Sequence, residues 1–139
     1  MKKLGLLLSA LCIGFTSLAQ ETTGATVTVV IENVLFDGGT ILAGLHTSES
    51  FMKSDGIANA SAPGKIGEAI LTFENVAPGT YAIMIMHDAN DNKRMDREAN
   101  GMPTESYGMT GEMNPYGPPV FEDAKFEMGG EDQEFRIRF

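Results

Sequence analysis

The sequence predicts an all-β protein, an antiparallel Greek-key sandwich of about seven short strands. Three observations carry this expectation. Apolar side chains recur at every second position in several runs, as at Val27, Val29 and Ile31 and again at Phe135, Ile137 and Phe139. Glycine, proline and asparagine punctuate those runs at short intervals. No stretch sustains the period of an amphipathic helix.

The chain begins with a secretory pattern. Lys2 and Lys3 precede an apolar run from Leu4 to Phe15, and Ser17 and Ala19 supply a small-x-small cleavage site. Residues 1–20 are therefore expected to be a signal peptide, since the apolar run falls short of the roughly 20 residues that span a bilayer. A lipid-anchored alternative would use Cys12, but the large Leu11 before it suits acylation poorly. No other run is apolar enough to cross a membrane. Residues 21–139 are read as one exported domain, periplasmic or extracellular, of about 120 residues and long enough for a core of its own.

Cys12 is the only cysteine. The mature chain then has no disulfide, no thiol nucleophile and no cysteine zinc site. The net charge is −9, and losing Lys2 and Lys3 takes the mature chain to −11. Such acidity argues against nucleic acid or an anionic membrane surface as partner.

The strands follow in order. The run from Ala25 to Val34 turns one apolar face inward, and Asp37, Gly38 and Gly39 mark a turn. Thr40 to His46 places Ile41, Ala43 and Leu45 on one face. Residues 48–65 read as a long polar connection, with Phe51 docking on the core. Ile66 to Phe73 aligns Ala69, Leu71 and Phe73. The stretch from Thr80 to His87 is apolar on both faces, with Tyr81, Ile83 and Ile85 opposed to Ala82, Met84 and Met86, and is expected at the centre of a sheet. Ala124 to Met128 and Glu134 to Phe139 complete the set, Arg136 and Arg138 facing solvent. Pro78, Gly79 and Tyr81 match a tyrosine corner, whose hydroxyl bonds back to upstream backbone. Residues 101–119, rich in glycine, methionine and proline, read as a long loop of the kind that often carries function.

The sharpest chemical signal is the run from Asp88 to Asp96. Oxygen-bearing side chains fall at its first, third, fifth and ninth places, Asp88, Asn90, Asn92 and Asp96, with the Arg94 carbonyl at the seventh. This is the spacing of a calcium loop, in which alternate residues turn inward to surround a hard cation with oxygen. Lys93 stands at the sixth place, where glycine eases the turn, and Ala99 at the twelfth, where a bidentate glutamate is usual. Glu98 or Glu105 would have to supply the missing carboxylate, or water would replace it. With so few charges, calcium affinity is expected near 10⁻⁴–10⁻³ M. The plainer alternative is a polar turn whose Asp and Asn side chains bond local backbone.

The remaining chemistry is thin. His46 and His87 are the only histidines. A catalytic reading would make His87 a base beside Asp88 or Glu105, whereas a structural one has it orient the loop at a strand end. Ser48, Ser50 and Ser54 lack a nucleophile context, and no phosphate-binding glycine motif follows a strand. The methionines read as packing residues and a soft loop surface.

The segment from Phe73 to Ala82, the acidic run, the stretch Gly101 to Gly108 with Met102, Pro103, Thr104 and Glu105, and Gly117 to Ala124 resemble the exported bacterial family known as domain of unknown function 2141. The resemblance covers nearly all of the mature chain. It implies an immunoglobulin-like or transthyretin-like sandwich and transfers no catalytic residue. The family usually has glycine where this chain has Lys93, and an aromatic near Met109. Its acidic loop and the segment around Glu105 suggest one joint site, with Glu105 completing the shell begun by Asp88.

These readings lead to a non-catalytic exported module. Its calcium-ordered loop, formed by Asp88, Asn90, Asn92, Arg94, Asp96 and Glu105, would support a surface for a glycan, a peptide or another envelope protein. The alternatives are a metal-dependent hydrolase using His87, Asp88 and Glu105, and an envelope component whose loop binds no ion.

Overall fold

The structure, a computed structural model, describes residues 24–139. The signal-peptide assignment at 1–20 lies outside the described residues. Eight strands and one short helix follow in the order β1 (Ala25–Val34), β2 (Thr40–His46), β3 (Ala58–Pro63), β4 (Gly67–Val76), β5 (Gly79–Asp88), β6 (Tyr107–Met109), α1 (Phe121–Ala124), β7 (Phe126–Met128) and β8 (Gln133–Arg138). One sheet has the order β4-β1-β8 and the other β3-β2-β5-β6, with β7 also paired to β5.

Alternation places one face of each long strand in the core. Val27, Val29 and Ile31 of β1 meet Leu71 and Phe73 of β4, and across the sandwich Ile41 and Leu45 of β2 and Ile83 and Ile85 of β5. Ile31, Ile41 and Ile83 are fully buried, and each such side chain contributes about 1.5–3 kcal/mol by leaving water. The tyrosine corner forms: the Tyr81 hydroxyl donates to the Ala77 carbonyl at 2.9 Å, which fixes the turn between β4 and β5.

Four features depart from the expected layout. β8 runs parallel to β1, from Val27 opposite Gln133 to Glu32 opposite Arg138, whereas every other pairing is antiparallel. Inside the expected connection 48–65 lies an edge strand, β3, which turns Ala58, Ala60 and Ala62 toward the core. Its alanines, serine and asparagine have weak strand propensity, and its terminal Pro63 is tolerated at a sheet edge. The expected strand from Ala124 shortens to β7, because Phe121–Ala124 makes a single helical turn that buries Ala124. The long loop 101–119 contains β6, so there are eight strands where about seven were expected.

β5 is central, as expected, and its two faces differ. Tyr81, Ile83, Ile85 and His87 point into the sandwich. On the outer face, Ala82 packs in a second cluster with Phe51, Met109 and Ala124, against which Met84 and Phe121 lean. Beyond that cluster the outer face opens, and Met84 and Met86 are half-buried instead of covered.

Candidate functional site

The open outer face is the floor of a groove of about 1370 Å³. Leu42, Met84, Met86 and Tyr107 lie along its sheet side. Arg94, Met95, Arg97, Met102 and Pro103 come from the segment after β5, and Met113, Pro115 and Tyr116 from the segment before α1. Such a space exceeds the roughly 300–1,000 Å³ typical of small-molecule pockets. Methionine walls are soft and adapt to varied apolar shapes. The basic side chains of Lys93, Arg94 and Arg97 line this groove in an otherwise acidic chain.

The acidic run builds one wall. Asp88 ends β5 and is 1 % exposed. The backbone N–H of Asn92 donates to its Oδ1 at 3.1 Å, and that of Lys93 to its Oδ2 at 2.7 Å. This one carboxylate folds the following five residues back over the strand end. Asn92 Oδ1 accepts from the Arg94 N–H at 2.9 Å, and Asn90 Oδ1 from the Asn92 N–H at 3.2 Å. Both amide nitrogens reach Asp96: Asn90 Nδ2 lies 2.6 Å from Oδ2, and Asn92 Nδ2 lies 2.9 Å from Oδ1. Thr40 of β2 ties the loop to the sheet by donating to Asp91 at 2.7 Å.

Glu105 approaches from beyond the loop and is also buried. Its Oε1 accepts from the Ala89 N–H at 2.9 Å and its Oε2 from the Asp96 N–H at 3.1 Å. It thereby clasps the two ends of the loop together. The structure thus joins Asn90, Asn92 and Asp96 side chain to side chain, while Asp88 and Glu105 reach them through backbone N–H groups. Among the described residues, no three His, Cys, Asp or Glu side chains are grouped so as to hold a metal ion. The oxygens of the site include two carboxamides and a backbone carbonyl, donors suited to a hard cation.

Lys93 sits at φ 60° and Asp91 at φ 56°. The left-handed turn expected to need glycine at the sixth place is made by a lysine. That conformation costs a non-glycine residue roughly 1–2 kcal/mol, partly offset by the greater chain entropy that glycine loses. Lys93→Gly is therefore expected to raise stability by about 0.5–1 kcal/mol. Chemical denaturation checks this through a higher midpoint at unchanged m-value.

His87 does not join this site. It points to the inner face, opposite to Asp88, and is fully buried. Its ring stacks on Phe36 at 4.1 Å and lies 6.3 Å from Phe139. Nε2–H donates to the Gly38 carbonyl at 2.7 Å, which pins the β1–β2 turn. Ser50 Oγ accepts from the Thr47 N–H at 3.0 Å and caps a turn.

His46 lies on the outer face and lines the groove. Burial pushes its pKa below the ordinary 6.5, against the smaller upward pull of the Ser50 backbone bond and of Asp55. A histidine depressed in this way gives stability that is complete above the unfolded pKa. That stability is lost as pH falls from about 6.5 toward the folded value.

Fold and site together define a β-sandwich with a hydrogen-bonded acidic loop beside a methionine-lined groove. The chain belongs to the family described as "Uncharacterized protein conserved in bacteria (DUF2141)", whose model matches residues 29–136. No curated protein and no solved structure matches it.

Proposed function

We propose that this protein is a non-catalytic, exported binding module of the cell envelope. Its acidic loop is ordered by calcium and walls a groove for an extended ligand, a peptide segment, a glycan chain or part of an envelope partner. The observation that carries this reading is the placement of the groove, about 1370 Å³, directly against the Asp88–Asp96 loop. Arg94 and Met95, inside the calcium-type spacing, are also groove residues.

The donor set fits calcium in kind. Asp88, Asn90, Asn92, Asp96 and the Arg94 carbonyl offer only oxygen, and Glu105 stands behind them. Turning the two amides would set their oxygens against the Asp96 carboxylate, an arrangement that a cation between them would stabilise. At about 1 mM calcium and a dissociation constant near 10⁻⁴ M, the ion would add roughly 1.4 kcal/mol. For a domain of this size that is an upward shift of about 5 °C in the melting point. Melting curves in chelator and in several millimolar calcium test this, with Asp96→Asn as the variant in which the shift should shrink. Superimposable curves for the unaltered protein would remove calcium from the reading.

A further inference from the structure

The end of the groove distant from the acidic loop carries a different chemistry. We propose that His46 Nε2 and the Met84 thioether, joined by Met52, form a binding site for copper(I). The inference rests on the groove being a binding surface and does not depend on calcium in the loop.

His46 Nδ1 faces the Ser50 carbonyl at 3.3 Å and the Ser50 hydroxyl at 3.5 Å, and the shorter contact is satisfied when Nδ1 carries the proton and donates it to the carbonyl. Nε2 of the neutral ring is then the free lone pair. This is the arrangement of metal-binding histidines, which donate the other ring N–H to a carbonyl or carboxylate that fixes tautomer and orientation. Phe51 meets the His46 ring edge-on at 5.8 Å and 83°, so the ring is braced as well as hydrogen-bonded.

Nε2 points over Gly44, where a methyl group would fall 2.7 Å from it. The glycine leaves room for the ring to lie flat across the outer face. Met84 is the residue directly opposite Gly44 on β5, and directly opposed side chains in a sheet stand about 4.5–5.5 Å apart at Cβ. Met84 therefore rises from the strand position that faces the one over which Nε2 lies, half-buried on the same groove, and its unbranched side chain is long enough to carry its sulfur to that nitrogen. Met52 follows Phe51, is 48 % exposed and lines the same groove. Its long unbranched side chain offers a second thioether on the same groove, next to the residue that braces the His46 ring.

One imidazole with two thioethers is a soft, weakly charged donor set. Thioethers select copper(I) over the harder divalent ions, which prefer carboxylate and imidazole. No cysteine is available here, because Cys12 is the only one in the sequence. Met86, Met95, Met102 and Met113 line the rest of the groove and offer further thioethers through which an ion could pass to or from the site.

The full exported chain, stripped with chelator, is titrated anaerobically with copper(I) in the presence of a chromogenic copper(I) chelator as competitor. The expected result is uptake of one equivalent per chain. Met84→Leu, close to isosteric, should weaken binding at least tenfold with an unchanged melting curve. His46→Asn should weaken it further, and zinc should not compete. Failure to draw copper(I) from the competitor, equal affinity in both variants, or displacement by zinc would overturn the site. The calcium melting shift, read on the same preparations without copper, reports the acidic loop separately.

Discussion

Asp88→Ala should lower stability by about 3 kcal/mol and the melting point by about 10 °C. The carboxylate lies at the end of the central strand, 1 % exposed, and its two oxygens accept the N–H groups of Asn92 and Lys93. Truncation leaves the Lys93 N–H without its partner and the Asn92 N–H with only its 3.2 Å bond to Asn90 Oδ1, and an orphaned group costs about 1–3 kcal/mol where water cannot replace the bond. The two losses are not independent, because a loop freed at one donor can turn the other to solvent, so a value below their sum is expected. Asp88→Asn keeps one carbonyl oxygen but turns an NH₂ group toward the other donor, so it should cost more than half as much. On the proposed calcium reading both variants should also lose the calcium shift, since the first-place oxygen would anchor the ion as well as the turn. Urea unfolding in chelator isolates the structural part. A loss of under 0.5 kcal/mol for Asp88→Ala, the range of ordinary surface changes, would show that the loop is anchored elsewhere.

The sequence shows the sandwich wherever the two-residue period is strong. β1, β2, β4, β5 and β8 all bury the faces that the alternation at Val27, Ile41, Leu71, Ile83 and Ile137 indicates. It falls silent where side chains are small or elements are brief. Ala58, Ala60 and Ala62 form a strand face with too little apolar contrast to reveal a period. Three residues of β6 and four of α1 are shorter than any periodic signal. The parallel seat of β8 beside β1 is a choice of partner, and partner choice depends on packing distant in sequence.

The acidic loop was legible as a spacing, because Asx side chains organise backbone within a few residues. Its clasp is half legible: the sequence shows Glu105 as an acid near the loop, but its partners, the Ala89 and Asp96 N–H groups, depend on how the chain returns into β6. The groove left one trace. Met84 and Met86 make β5 apolar on both faces, which signals cover on both sides, and only the course of the segments 94–103 and 113–119 shows that the outer side stays open. The direction of the His46 ring had no signal beyond Gly44 two residues before it.

Glu105 separates two ways of building the loop. If it clasps backbone, Glu105→Ala should cost about 3 kcal/mol in chelator, because the Ala89 and Asp96 N–H groups both lose a charged acceptor, and bonds to charged groups contribute about 1.5–3 kcal/mol each. Glu105→Gln retains one oxygen and turns an NH₂ group toward the other donor, so it should lose more than one bond's worth. These losses appear with no calcium present. A Glu105 that acted only by ligating the ion would behave otherwise: stability in chelator would stay unchanged, and the calcium shift alone would fall. The geometry favours the clasp, since each oxygen already faces an N–H at 2.9 and 3.1 Å. The clasp also predicts a consequence at a distance. Freeing the ends of the loop should loosen Arg94 and Met95 in the groove wall, so amide exchange at 89–96 should accelerate in Glu105→Ala while that of β2 and the inner face of β5 stays slow. Uniform acceleration across the sandwich would mean that Glu105 supports the whole fold, and unchanged exchange would mean that it supports nothing in the loop.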